Sequence, residues 1–261
     1  MSAKDKFYAG FTQASKAVGL LALYWTLGIV CRLYLVNSAL VASAIANGVF
    51  IIVCFIWYMR AYRKRDKTEY HIPFQKKSIG IFALTFIVTY MATQSLSLWY
   101  YVKTMDTGYT AHTVAANEFG IWVRVAFQVL CAPVAEELLF RGVLYNILKT
   151  PHKKTGFAMN WFVASVIVSV LFGVMHGNMV QMLTAMMAGL WFAFVYEITR
   201  KLWVPVLFHV LYNTISQFAF VQSFIPYQSL VLSIILILAA ITLSLWMVIT
   251  LDSEHRYIEM N

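Results

Sequence analysis

The sequence predicts an all-α fold, a polytopic transmembrane bundle of about eight helices, from its composition, the length of its apolar runs and the lack of alternation within them. Of its 261 residues, 61% are hydrophobic and 12% charged, whereas soluble domains are roughly 25% charged. The mean hydropathy is +0.71. Such a chain cannot cover itself with polar surface, and several runs reach the roughly 20 residues that a helix needs to cross a hydrocarbon core of about 30 Å. Lipid offers the backbone no hydrogen-bond partners, so spans must be helices or closed barrels, and these runs lack the period-two pattern of barrel strands.

The spans are expected at roughly 17–36, 38–59, 79–102, 121–148, 160–177, 180–198, 203–224 and 228–250. Lys4, Lys6 and Lys16 precede the first. Arg60, Arg63, Lys64, Arg65, Lys67, Lys76 and Lys77 follow the second, Lys149, Lys153 and Lys154 the fourth, and Arg200 and Lys201 the sixth. The basic loops therefore share one side, and the intervening loops, including 103–120 with Asp106 and Glu118, carry few basic residues. Short loops rich in Lys and Arg remain cytoplasmic, so both termini are expected in the cytoplasm. The polar start, MSAKDKFYAGFTQASK, is too long for a cleaved signal peptide, and the first apolar segment is expected to remain. The chain divides into an N-terminal segment 1–16, a two-helix part 17–59, a basic loop 60–78, a six-helix membrane part 79–250 and a tail 251–261.

The net charge of +9 is spread over short loops rather than one face, which sets topology and argues against nucleic acid as a partner. Cys31, Cys54 and Cys131 lie in apolar stretches without CxxC spacing, and read as packing residues. Trp99, Tyr100, Tyr101, Trp161, Trp191 and Trp203 read as interface anchors, and Met182, Met186 and Met187 as packing. Pro205 fits the first turn of the seventh helix. Pro133, inside the fourth, removes a backbone donor three residues before an acidic pair and predicts a kink.

Ionisable groups inside spans cost at least about 2.5 kcal/mol each on insertion scales and default to functional candidates. Arg32 and Arg124 lie near span ends and are expected to snorkel. Glu136, Glu137 and Arg141 lie too deep for that, in EELLFR. Glu137 and Arg141, four apart, have the order and spacing of an ion pair, which leaves Glu136, about 100° away round the helix, as a candidate general base. His176 ends FGVMH in the fifth span. His209 begins HVLYN in the seventh, with Asn213 one turn on and on the same face. A carboxylate and a histidine can hold and deprotonate a water, while a second histidine and an amide can donate to the oxyanion formed when that water attacks a carbonyl. This is the equipment of a peptide hydrolase without a covalent intermediate.

Three motifs carry a resemblance. Glu136-Glu137-Leu138-Leu139-Phe140-Arg141 fits EExxxR, Phe172-Gly173-Val174-Met175-His176 fits FxxxH, and His209-Val210-Leu211-Tyr212-Asn213 fits HxxxN. In this order and in a membrane setting, the chain resembles the CAAX-processing and bacteriocin-processing intramembrane endopeptidases, also called the CPBP or Abi family. The resemblance covers roughly 121–224. It implies that Glu136 and His176 activate water, that His209 and Asn213 form the oxyanion hole, and that Glu137 and Arg141 brace the site. It implies as substrate a membrane-bound or lipidated peptide: a prenylated C-terminal tail, or a bacteriocin or pheromone precursor.

Zinc held by Glu136, His176 and His209 is the runner-up to a metal-free site. No HExxH pair sets two imidazoles on one helix face, and an oxyanion-hole Asn suits a site where no metal polarises the carbonyl. The competing functions are a non-catalytic scaffold or bacteriocin-immunity protein with a membrane-protein partner, and a transporter relaying protons through Glu136 and Glu137. No inverted repeat supports the transporter. The compact chain favours a prokaryotic cell membrane. Straight helices normal to the membrane would put Glu136 about 18 Å, His176 about 24 Å and His209 about 9 Å from the cytoplasmic face, so convergence requires tilt, a kink or a helix starting below the surface.

Overall fold

The computed structural model describes residues 2–35, 39–68, 71–72, 74–110, 120–152, 155–218, 223–226 and 229–260. Glu118, Lys153 and Lys154 lie outside the described residues, as do the side chains of Lys6, Arg32, Lys77 and Arg124. The regular elements described are all helical, with no strand among the described residues. They are α1 (Ala3–Val30, closing in a π turn Cys31–Leu35), α2 (Ala39–Ala61), α3 (Arg63–Thr68), α4 (Ile79–Thr104), the helical run α5 (121–149), α6 (Trp161–Val174), α7 (Met179–Thr199), α8 (Trp203–Ser216) and α9 (Leu230–Met260). Among the described residues five helices, α1, α2, α4, α7 and α9, are long and apolar enough to cross a membrane. The chain is an all-α membrane bundle.

The boundaries depart from expectation where local chemistry decides them. α1 begins at Ala3 rather than near 17, because Ser2 caps it: the Asp5 amide donates to Ser2 Oγ at 3.1 Å and the Ser2 amide to Asp5 Oδ2 at 3.1 Å, a reciprocal box that satisfies two otherwise orphaned donors. α6 and α8 have 14 residues each, rising about 21 Å against a core of about 30 Å. α6 stops at Val174, so His176 lies in the turn before α7, not in a span. Gly177 takes φ +74° there, a conformation costly for residues with a Cβ, and Asn178 Oδ1 then accepts from the Gln181 amide at 2.9 Å to start α7. Trp191 is no interface anchor. It is 5% exposed and packs on Phe86 and Phe208, with ring centroids 5.7 and 5.1 Å away.

The chain forms two compact units, 1–68 with 125–168, and 69–124 with 169–261. In the first, buried Ala42, Ala46, Phe50, Cys54 and Tyr58 recur every fourth residue along α2, and Ala9, Gln13 and Ala17 do so along α1. These are single faces of a helix, and the small residues let backbones approach. Tyr24 Oη donates to Asn47 Oδ1 at 2.6 Å between the two helices. On the same face Tyr24 meets Phe50 edge-on, with ring centroids 4.9 Å apart.

In the second unit α4 packs against α7 and α9. Its buried face carries Thr85, Thr89, Ala92, Thr93, Ser95 and Ser97 beside Phe82, Phe86 and Tyr90. Thr184 Oγ1 lies 2.6 Å from Ser97 Oγ, and Ser95 Oγ 2.8 Å from Ser233 Oγ. These short side chains join α4 to α7 and α9 without holding the helices apart. Phe82, Phe86, Trp191, Phe192, Phe208 and Tyr212 fill the core between α4, α7 and α8.

α6 and α7 approach most closely at Gly173, where an added Cβ would lie 2.8 Å from the Met182 carbonyl oxygen and 3.0 Å from Met186 Cβ. Gly48 of α2 has nothing within 4 Å of the same position. Gly173→Ala is expected to lower thermal stability in detergent, by about 1–3 kcal/mol as overpacking does. Gly48→Ala is expected to leave it unchanged or raise it, by up to about 1 kcal/mol.

Candidate functional site

The residues singled out by sequence divide between the two units: Glu136, Glu137 and Arg141 belong to the first, and Phe172, His176, His209 and Asn213 to the second.

Glu136 and Glu137 end a short α-helical stretch, Ala132–Glu137, between two π-helical stretches, Val125–Cys131 and Leu138–Tyr145. Pro133 stands near the start of that α-helical stretch, inside the continuous helical run 121–149, where it withholds one backbone donor. π turns inside helices often mark functional positions, because the extra residue per turn re-aims the side chains around it.

Arg141 Nη1 donates to Glu137 Oε1 at 2.8 Å, and both side chains are completely buried. Glu136 is half-buried. α2 packs against the stretches that carry all three residues. Ionised and unpaired, either member of the Glu137–Arg141 pair would cost several kcal/mol at such a site, so each partner is what allows the other to stay charged on the buried face of this helix. Glu136, one residue earlier, points in a different direction.

In the second unit, His176 Nδ1 lies 2.8 Å from the Phe172 carbonyl oxygen. A carbonyl only accepts, so Nδ1 carries the proton, and in the neutral ring Nε2 is the acceptor. The bond also occupies one of the carbonyls left over at the end of α6. Phe172 meets both histidines edge to face, with centroids 4.9 Å from His176 at 89° and 5.7 Å from His209 at 86°. His209, 4% exposed, is also stacked on Phe192 at 4.9 Å and 24°. The imidazole of His209 is thus held on two sides by aromatic carbon.

Asn213 follows His209 by one turn of α8 and is half-buried. Between them Tyr212 anchors α8 to α4: its hydroxyl lies 2.6 Å from Thr93 Oγ1 and accepts from Gln94 Nε2 at 2.9 Å. The structure therefore brings Phe172, His176 and His209 together in one unit, and Glu137 and Arg141 together in the other. Sequence reasoning missed Phe192 and the Tyr212 anchor. Nothing in the spacing of a Phe-rich chain marks Phe192, and the Tyr212 contacts join residues more than a hundred positions apart. Among the described residues no group of three or more His, Cys, Asp or Glu side chains is gathered as metal ligands would be, and no step below is routed through zinc.

Replacing Glu137 by Gln, or Arg141 by Met, is expected to destabilise the protein by about 3–5 kcal/mol through the buried charge left behind. The double substitution is expected to recover much of that loss. Thermal unfolding of the three variants in detergent, read as a double-mutant cycle, measures the coupling.

A family model described as "Type II CAAX prenyl endopeptidase Rce1-like" matches residues 118–215. The chain is 33% identical over 110 residues to the Bacillus subtilis (strain 168) protein named "Putative membrane peptidase YdiL", a match spanning 41% of this chain and 42% of that protein. It thus covers less than half the length of the curated relative. No solved structure matches the chain. The matched segment holds all three motifs, from Glu136 to Asn213, and in it the chain is similar to the Rce1-like endopeptidases and to the Bacillus subtilis protein.

Proposed function

We propose that this integral membrane protein is an endopeptidase that hydrolyses a peptide bond in a membrane-bound or lipidated peptide, using water activated by Glu136 and His176. The observation that carries the reading is the bond from His176 Nδ1 to the Phe172 carbonyl. It leaves Nε2 as the basic atom of the neutral ring, the form that can hold a water and share its proton. The similarity of 118–215 to the Rce1-like family model supports the reaction class, and the description of that model, a CAAX prenyl endopeptidase, suggests the lipidated peptide.

In this reading Glu136 and His176 together activate the attacking water. Glu136 takes one proton as the oxygen attacks the carbonyl carbon of the scissile peptide, and the peptide C=O becomes a tetrahedral oxyanion. His209 and the Asn213 amide donate to that oxygen, an arrangement effective because donors already in place need no reorganisation. The proton held by Glu136 passes to the departing amine nitrogen as the C–N bond breaks, which restores the carboxylate. Atoms balance with one water consumed and one amide cleaved. Glu137 and Arg141 touch no substrate and keep Glu136 directed. Both termini in the cytoplasm, which the placement of basic loops in the sequence supports, and a prokaryotic cell membrane complete the proposal.

The test is made in proteoliposomes with fluorogenic membrane-anchored peptides, farnesylated and unmodified. Glu136→Gln and His176→Ala are expected to lower kcat by at least about a hundredfold, as loss of a general base does. Asn213→Ala is expected to lower kcat by about 10²–10³ with KM little changed, as loss of an oxyanion donor does. Each is measured with and without a strong zinc chelator, which is expected to have no effect. Cleavage undiminished in Glu136→Gln would sink the mechanism, and loss of wild-type activity to the chelator would replace it with a zinc site. Absence of any cleavage, with Glu136→Gln retaining the biological phenotype of the wild type, would point to the scaffold or immunity role.

A further inference from the structure

The basic stretch after α2 is more than a topology signal. Its short helix α3 separates its charges: Arg63, Lys64 and Lys67 are exposed, while Asp66 is buried and Arg65 is directed inward. Tyr58 Oη donates to Asp66 Oδ2 at 2.9 Å. The Arg65 guanidinium lies 5.4 Å from the Tyr62 ring centroid, near enough for the ring to favour the charge. From there its two terminal nitrogens reach the end of α5. Nη1 donates to Thr150 Oγ1 at 3.1 Å and Nη2 donates to Asn146 Oδ1. All of these residues belong to the first unit.

Asn146 is completely buried. Its Nδ2 donates to the carbonyls of Arg141 at 3.1 Å and Gly142 at 3.0 Å, both within the π-helical stretch Leu138–Tyr145. An amide presents an acceptor on one side and donors on the other. With Arg65 bonded to Oδ1, the amide is locked with Nδ2 toward those carbonyls. Turned over, it would set oxygen against oxygen on one side and N–H against guanidinium on the other. Thr150 Oγ1 closes the arrangement by donating to the Asn146 carbonyl at 2.6 Å. A hydrogen-bonded chain therefore runs from Arg65 through Asn146 to the backbone of Arg141, whose side chain holds Glu137 next to Glu136.

We propose that Arg65 is a positioning residue of the candidate active site, which acts through the Asn146 amide to hold the π-helical stretch that carries the acidic pair. The inference rests on the reading of Glu136 as the carboxylate that activates water. Wide turns are uncommon, and a side-chain donor that reaches two carbonyls of such a turn adds bonds that favour it over regular α-helix. Arg63, an exposed cation of the same helix, serves to separate loss of charge alone from loss of this chain.

The test uses full-length protein in proteoliposomes and compares Arg65→Ala, Arg65→Lys, Asn146→Ala, the Arg65→Ala/Asn146→Ala pair and the charge control Arg63→Ala. Hydrogen exchange over 138–149 is expected to speed up about tenfold in Arg65→Ala and in Asn146→Ala, and no further in the double variant, since removing either end breaks one shared chain. On the farnesylated peptide, kcat is expected to fall about tenfold or more with KM unchanged, as small misplacements of a catalytic group do. Arg65→Lys is expected to recover part of the loss, because it keeps one donor for Asn146, and Arg63→Ala to match wild type. Exchange unchanged in Arg65→Ala, equal effects in Arg63→Ala, or effects that multiply in the double variant would each overturn the proposal. Glu136→Gln in the same vesicles separates the two claims: if it cleaves as wild type does, the catalytic reading fails, while exchange alone decides whether Arg65 holds the turn.

Discussion

A polar group between helices in a lipid-solvated chain has to find its partner within the protein, since neither lipid nor bulk water supplies one. The Glu137–Arg141 pair shows the strictest form of this requirement. Two full charges are buried completely and meet at 2.8 Å, and neither can turn away without leaving the other uncompensated. The pair lies on the part of α5 that packs against α2, and Glu136, one residue earlier, points in a different direction. Asn146, Thr150 and Arg65 extend the same logic to the backbone, each donor answered by a carbonyl or hydroxyl.

The second unit meets the requirement with neutral groups. Threonine and serine hydroxyls of α4 bond across to α7 and α9, or back to their own helix, and the Tyr212 hydroxyl is bonded by both Thr93 and Gln94. Neutral bonds of this kind contribute about 0.6 kcal/mol each on average in membranes, less than a buried ion pair risks. They hold helices in register without forcing a single rotation, and aromatic packing around Phe86, Trp191 and Phe208 supplies the rest. The two units thus present different surroundings to their candidate residues: a charged, tightly determined helix for the carboxylates, and an aromatic setting for the imidazoles.

For His209 that setting has a chemical consequence. A ring held between Phe192 and Phe172 has few rotamers open to it, so a donor there is already placed before any charge develops on a substrate, as oxyanion stabilisation requires. His176 is placed by different means, with a carbonyl at Nδ1 and a turn that depends on Gly177. Restricting it to one tautomer leaves Nε2 for chemistry. Both devices are short-range and belong to the same unit, so the imidazoles keep their relation to each other whatever their surroundings.

The sequence by itself determined the class of the protein, because composition and run length suffice to show that lipid is the solvent, and a buried Glu137–Arg141 spacing suffices to suggest a pair. It also drew attention to Glu136, His176, His209 and Asn213, since charge and imidazole stand out in apolar runs. It did not reveal that α6 ends at Val174 and leaves His176 in a turn, because a glycine after an apolar run is as compatible with a continuing span as with a stop. It did not place Trp191 in the core, since aromatic residues serve interface and interior alike. The π-helical stretches around the carboxylates, the Phe192 stack and the Arg65–Asn146 contact were decided only by the tertiary structure. Their partners lie on different helices far apart in the chain, and local periodicity carries no information about which distant side chain will answer a given buried donor.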